Sequence, residues 1–266
     1  MKNMIWSVLI LSMILSLGSM AEMHAFELPD GRILEAELVD YNSRQGLVTL
    51  KRTDGKRIPV KPSIFIEKDQ IYIRDWCAAR AFLSDSTLKI QADDDVVKSW
   101  KEEETMDVRY TDGSVEKEYI HNVIKYEDVA YNISFKNMGE VAINGLVLEY
   151  CVYYEQSTMC WEEKPKVELK TSYGKKEIPE LRVKQSAEVT TKTVMIYEDD
   201  INPIDMRDGD QRRPGKGEIL GMHVRVTMKG GDASSIRTVS VPENFSLEEY
   251  PWSTVSSPNS RKPYRR

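Results

Sequence analysis

FELPDGRILEAELVDYNSRQGLVTLKRTDGKRIPVKPSIFIEKDQIYIRDW, residues 26–76, is the stretch whose reading decides the fold of the first part of the chain. Pro29-Asp30-Gly31 is a turn signal, and Asp54-Gly55 between two alternating runs is a hairpin signal, because glycine takes the positive φ that tight hairpin turns require. Ile33, Ala36 and Leu38 mark one strand, and Asn42 to Gly46 form the next connection. Leu47, Val48 and Leu50, then Ile58 and Val60, supply two more strands. Short strands at this density bury a core by curling into a small barrel.

From Pro62 the apolar period changes. Ile66, Ile73, Trp76, Cys77, Ala81 and Phe82 have the spacing of a helix with one buried face, ending near Ser84. Ser63 opens no complete capping box, since Ile66 stands where an acid or amide is needed. Residues 26–78 resemble the SLA-one homology domain, a small SH3-like module. The matching features are Asp30-Gly31 before Glu35-Ala36-Glu37-Leu38, Val48-Thr49-Leu50, Asp54-Gly55-Lys56, Ile58-Pro59-Val60 and the closing Asp69-Gln70-Ile71-Tyr72-Ile73. The likeness covers about a fifth of the chain. It departs from the family at Lys61-Pro62-Ser63-Ile64 and at Ile66. It implies an SH3-like barrel with a C-terminal helix over residues 22–84, and a surface for peptides of the Asn-Pro-Phe-x-Asp kind. Cations would meet the peptide's acid. Lys51, Arg52, Lys56 and Arg57, around the Asp54-Gly55 turn, are the ligand-binding residues expected on that basis, and a solvated hairpin tip is the alternative.

The segment before the module, MKNMIWSVLILSMILSLGSMA, has an early cation at Lys2, an apolar run from Met4 to Leu17 and small residues at Ser19 and Ala21. That is the layout of a secretory signal over residues 1–21, cleaved after Ala21 or Ala25. The run is shorter than the roughly 20 residues a spanning helix needs, so no stable membrane insertion after cleavage is expected. The expected location is periplasmic or extracellular. Oxidation is open to thiols there, so Cys151 and Cys160 are read either as a disulfide or, with Cys77, as buried small hydrophobes.

Residues 85–252 read as a second domain. The runs Asp93-Asp94-Asp95 and Glu102-Glu103-Glu104 suggest a solvated face or loop. Strand alternation follows at Met106–Tyr110, with a turn at Thr111-Asp112-Gly113. It resumes at Ala130–Phe135, at Leu146, Leu148, Tyr150, Val152 and Tyr154, and at Val167–Leu169, Glu188–Tyr197, Gly221–Met228 and Ile236–Val241. Cys151 falls opposite the apolar face of its strand. Tyr131-x-Ile133-x-Phe135-x-Asn137, then Gly145-Leu146, resembles immunoglobulin-like domains in general. The fold class is therefore all-β: the small barrel and helix, then an immunoglobulin-like antiparallel β-sandwich. Residues 253–266, rich in Ser, Pro and Arg, read as a flexible basic tail.

The chemistry of the sequence is sparse. A formal net charge of −6 argues against nucleic acid as a partner, because phosphate binding needs a cationic surplus. The histidines, His24, His121 and His223, form no metal-pair spacing, and no nucleophile elbow or phosphate loop occurs. No catalytic residue, metal or cofactor is nominated. The acidic stretch Glu198-Asp199-Asp200 through Asp205, Asp208 and Asp210 reads either as a calcium-binding loop or as an ordinary long one. The expected function is non-catalytic binding of a protein or peptide partner at the cell envelope. The alternatives are assembly through sandwich edges and a hydrolase with a site at the domain junction.

Overall fold

The computed structural model describes residues 23–158, 166–201, 213–229 and 236–258. Residues 1–21, read above as a secretory signal, Cys160, Asp205, Asp208, Asp210 and the cations of the last eight residues lie outside them. The protein is mostly β, in antiparallel sheets, with one α-helix among the described residues. It divides into two compact units, up to Asp75 and from Trp76 onward.

In the first unit, β1 (Met23–Glu27), β2 (Ile33–Asn42), β3 (Leu47–Arg52) and β4 (Arg57–Val60) form a meander in chain order. The two turn signals do what their chemistry requires: Gly31 and Gly55 have φ of 81° and 80°. One face buries Phe26, Ala36, Leu38, Val48 and Leu50. A 3-10 turn (Pro62–Ile64) leads into α1 (Glu67–Leu83), three residues later than a helix capped at Ser63 would begin. The Ile66 N–H donates to the Glu27 carbonyl at 2.9 Å, which hydrogen-bonds the helix lead-in to the end of β1.

Asp69, 2% exposed, fixes the start of that helix. One carboxylate oxygen accepts the Glu27 N–H at 2.6 Å, and the other meets His24 Nε2 at 2.8 Å. His24 in turn stacks on Tyr72 with centroids 3.9 Å apart. Gln70 donates its side-chain amide to the Phe65 carbonyl at 2.7 Å. The Asp-Gln pair that marked the end of the module in the sequence is thus a structural fastening, since a buried charge persists only when its lone pairs are used.

The second unit holds β5 (Leu88–Arg109), β6 (Val115–Asn137), β7 (Ile143–Ser157), β8 (Val167–Leu181), β9 (Ser186–Thr190), β10 (Val194–Ile201), β11 (Gly217–Met228) and β12 (Ile236–Val241). One sheet has the order β10-β6-β5 with β9 also on β6; the other runs β12-β11-β7-β8. Leu88, Tyr131, Ile133, Phe135 and Val194 from the first sheet and Leu146, Leu148, Tyr150, Val152, Tyr154 and Val224 from the second share one core, which makes a β-sandwich. The acidic runs 93–95 and 102–104 are solvated, as their charge demands, but they are strand: all six residues lie in β5, paired with β6. The stretch expected as one strand over 188–197 is two. Thr191 interrupts it, its hydroxyl accepting the Tyr131 N–H at 2.9 Å in place of a ladder bond.

Asn137, fully buried, ends β6. Its amide donates to the Val141 and Leu181 carbonyls at 2.8 and 3.1 Å and its oxygen accepts the Gly139 N–H at 2.9 Å. Gly139 is required there, because a Cβ would lie 2.2 Å from the Thr87 methyl. Replacing Asn137 with Ala strands three backbone groups away from water. Urea denaturation of Asn137→Ala should show a loss of roughly 2–4 kcal/mol at an unchanged m-value.

Candidate functional site

The four cations expected to bind a ligand do gather at one place. Lys51 and Arg52 end β3, and Lys56 and Arg57 open β4 across the turn; the Arg52 N–H donates to the Lys56 carbonyl at 3.0 Å. Asp54 shapes the turn by accepting the Lys56 N–H at 3.0 Å. Lys51 stands opposite Arg57 on one side and Glu37 on the other, so the three side chains form a row on one face of the sheet. Glu37 lies 3.5 Å from Lys51 and Asp54 lies 3.4 Å from Arg52, so each of the two β3 cations has an acid. Lys56 and Arg57 have no ion pair among the described residues and are exposed. The arrangement therefore offers an acidic ligand two cations directly, with Lys51 and Arg52 contributing only in competition with their own acids. Salt bridges this exposed hold a side chain weakly, about 0–1 kcal/mol each, so that competition is mild.

The histidines go to three different settings. His24 is bound to Asp69 as described. His121 is the extra residue of a bulge in β6, where Glu104 pairs with Asn122 and Thr105 with Ile120; its Nδ1 is buried without a hydrogen bond. His223, with no exposed surface, lies on β11 between Cys151 of β7 and Ser240 of β12. Its Nε2–H donates to the Tyr250 carbonyl at 3.1 Å, so Nδ1 accepts the Ser240 hydroxyl at 2.9 Å. The fold thus brings a His and a Ser together, but it seals the imidazole beneath Tyr153, Phe245 and Tyr250. Burial pushes the His223 pKa below the usual histidine range and pushes the Cys151 thiol up. A neutral imidazole and a protonated thiol under an aromatic cover are packing groups.

Cys151 points away from the sandwich core, as its strand parity indicates, yet it is fully buried. The face expected to be solvated is covered by the segment after β12: Phe245, Tyr250 and Trp252 pack over Cys151 and Tyr153, and Arg225 lies 4.2 Å over the Trp252 ring. Cys151 is a free thiol, and the partner considered for it, Cys160, lies outside the described residues. The first residues of the expected flexible tail are also ordered. Ser257 donates its N–H to the Thr171 carbonyl at 2.7 Å and Ser256 Oγ accepts the Tyr173 N–H at 2.9 Å, so this segment lies along the edge of β8. The sequence carried a partial signal for this cover in Pro251-Trp252, an apolar anchor inside a polar stretch.

The acidic stretch expected as a loop from Glu198 is strand as far as Ile201. Asp200 is ion-paired to Lys125 at 2.8 Å, while Asp199 points to the opposite face and is buried. The rest of that stretch lies outside the described residues.

No known protein family matches the chain, and neither does any curated protein. Among solved structures, a β-glucosidase from Streptomyces venezuelae in complex with D-glucose aligns at 12% identity over 57% of this chain and 15% of its own. Its TM-score of 0.14 is too low to speak for fold or activity.

The buried imidazole gives a pH test. A folded-state pKa below the unfolded value means the unfolded chain binds the proton first, so stability is present above the unfolded value and is lost as pH falls below it. The urea midpoint should drop between about pH 7.5 and about pH 5.5, and His223→Gln should flatten the part of that drop nearest the histidine range.

Proposed function

We propose that the chain is an exported, non-catalytic binding protein of the cell envelope whose first unit, an SH3-like module of the SLA-one homology kind, takes an acidic, aromatic-containing peptide at the Asp54-Gly55 hairpin. The second unit is an immunoglobulin-like sandwich that serves as its support. The observation that carries this reading is the hairpin tip, where Lys56 and Arg57 stand exposed with no ion pair among the described residues while Lys51 and Arg52 lie 3.5 and 3.4 Å from Glu37 and Asp54. The meander, the short turn and the helix pinned by Asp69 support the module, because the motif residues of the resemblance occupy consistent structural roles. Among the described residues no helix is long and apolar enough to cross a membrane, which is compatible with a protein released from its signal.

Binding of a fluorescent Asn-Pro-Phe-x-Asp peptide to the full mature chain tests the proposal. Lys56→Glu with Arg57→Glu should weaken it by about tenfold or more, with a strong salt dependence in the parent protein. Equal affinity of parent and double variant would sink the hairpin assignment. The fold also bears on processing. β1 uses Met23 to Ala25, and His24 holds Asp69. Cleavage after Ala25 would discard both, so intact-mass measurement of the exported protein should place its first residue at Glu22.

A further inference from the structure

Three successive core-facing positions of β8 hold no apolar side chain. Tyr150, Val152 and Tyr154 of β7 belong to the sandwich core, and their cross-strand partners are Gly174, Ser172 and Lys170. Cross-strand partners share a face. Gly174 is needed to admit the Tyr150 ring, since a Cβ would lie 2.1 Å from it. The side of the sandwich between β8 and the β9–β10 connection is left as a recess of about 170 Å³. Tyr154 and Ser172 line it from one sheet, Lys192 and Thr193 from the connection in the other, and Ser256 and Ser257 from the segment along the β8 edge.

The walls of the recess are fixed by hydrogen bonds. The Tyr150 hydroxyl accepts the Lys192 N–H at 2.8 Å. Ser257 Oγ accepts the Thr171 N–H at 3.0 Å, and Ser256 Oγ accepts the Tyr173 N–H at 2.9 Å. What these walls present is a set of donors. The Lys192 ammonium gives one bond, to the Tyr173 carbonyl at 3.2 Å, and has no ion pair among the described residues. An ammonium has three N–H groups to give. The hydroxyls of Ser172 and Thr193 have no hydrogen bond among the described residues, and neither has that of Tyr154, a residue only 4% exposed. Burial pushes the Tyr154 phenol above its ordinary range, so it stays a neutral donor. No acid lines the recess.

We propose that this recess binds a small phosphate-bearing anion, with Lys192 as the charge partner and the Tyr154, Ser172 and Thr193 hydroxyls as neutral donors. A concavity with one cation, several hydroxyls and no carboxylate or amide side chain selects an anion over a sugar, whose own hydroxyls need acceptors. The donors come from both sheets and from the edge segment. That spread suits the tetrahedral oxygens of phosphate better than a planar carboxylate, and lysine serves phosphate as a point charge. The volume is below the roughly 300–1,000 Å³ of sites for drug-sized ligands and equals roughly five waters at ~30 Å³ each, so the ligand is small. The recess lies wholly in the second unit, and the inference is independent of the peptide-binding proposal.

The test is calorimetric titration of the full mature chain, in phosphate-free buffer at constant ionic strength, with inorganic phosphate, glycerol phosphate and acetate. Inorganic phosphate should bind with a dissociation constant of about 1 mM or below, and acetate about tenfold or more weaker. Tighter binding of glycerol phosphate identifies a phosphate monoester as the ligand, and tighter binding of inorganic phosphate identifies the free anion. Lys192→Met, at an exposed position, should weaken phosphate about tenfold or more. Tyr154→Phe keeps the ring and should weaken it about fivefold or more. No heat from either phosphate overturns the site. Phosphate binding that survives Lys192→Met places the anion elsewhere and also overturns it. Loss with Lys192→Met but not with Tyr154→Phe reduces the recess to a surface cation and overturns the built site. Equal binding of acetate overturns the phosphate assignment.

Discussion

The second unit depends on β6 serving two faces at once. The strand runs 23 residues, far more than one core can cover, and it pairs with β5 along its length and with β9 and β10 on its other edge. Near its end Tyr131, Ile133 and Phe135 point into the sandwich core; nearer its start Ile124 and Tyr126 point the opposite way into a separate cluster with Met195 and Tyr197. β10 repeats the division, Val194 going to one cluster and its neighbour Met195 to the other. Because side chains alternate strictly, the two faces of one strand can feed two clusters, as β10 does. In β6 the buried parity also changes, between Tyr126 and Val129. Beyond Asn122, among the described residues, β5 and β6 pair only with each other up to the turn at Asp112-Gly113.

Buried amides and acids do the joining where ladders stop. Asn137 closes the end of β6, and Asp69 ties α1 to β1. Gln156 bonds both the carbonyl and the N–H of Tyr197, at 3.2 Å each, so a side chain of one sheet completes the backbone pairing of the other. Arg237, from β12, donates to the Phe82 and Leu88 carbonyls and meets Asp85, fastening the connection between α1 and β5. Each of these groups has its partners, which is what keeps a buried polar atom from costing more than it contributes. Asn122 breaks that pattern, since its side-chain oxygen is buried without a hydrogen bond.

The sequence was most legible where local chemistry decides local structure. Asp-Gly turns, the alternating strands and the 3.6-residue face of α1 are encoded within a few residues, and the structure has them where they were expected. It was least legible where a second layer intervenes. The acidic runs of β5 carry no alternation, because a largely exposed edge strand has no reason to alternate, so they read equally as a solvated face or a loop. Cys151 was correctly placed off the core by parity, but the cover of Phe245, Tyr250 and Trp252 comes from about a hundred residues away and leaves no periodic trace. The hairpin cations were found as a group; their pairing with Glu37 and Asp54 needed the register. Tyr154, Lys192 and Ser256 line one recess from distant places in the chain, so only the fold assembles it.

The edges of the sandwich bear on how the protein meets others. An unpaired strand invites another chain to extend the sheet, and proteins blunt it with charge, bulges or cover. All three devices are present. The edge of β8 is occupied by the segment around Ser256 and Ser257. β5 pairs only with β6 among the described residues, and it carries two triple-acid runs and a bulge at Val97 between them. Adding a second β5 would bring acid against acid, and like charges directly opposite are destabilising. A chain built for assembly through its edges would keep at least one of them flat, apolar and bare. The edges at β8 and β5 are defended in this way, and at the hairpin tip of the first unit Lys56 and Arg57 are exposed cations with no ion pair among the described residues.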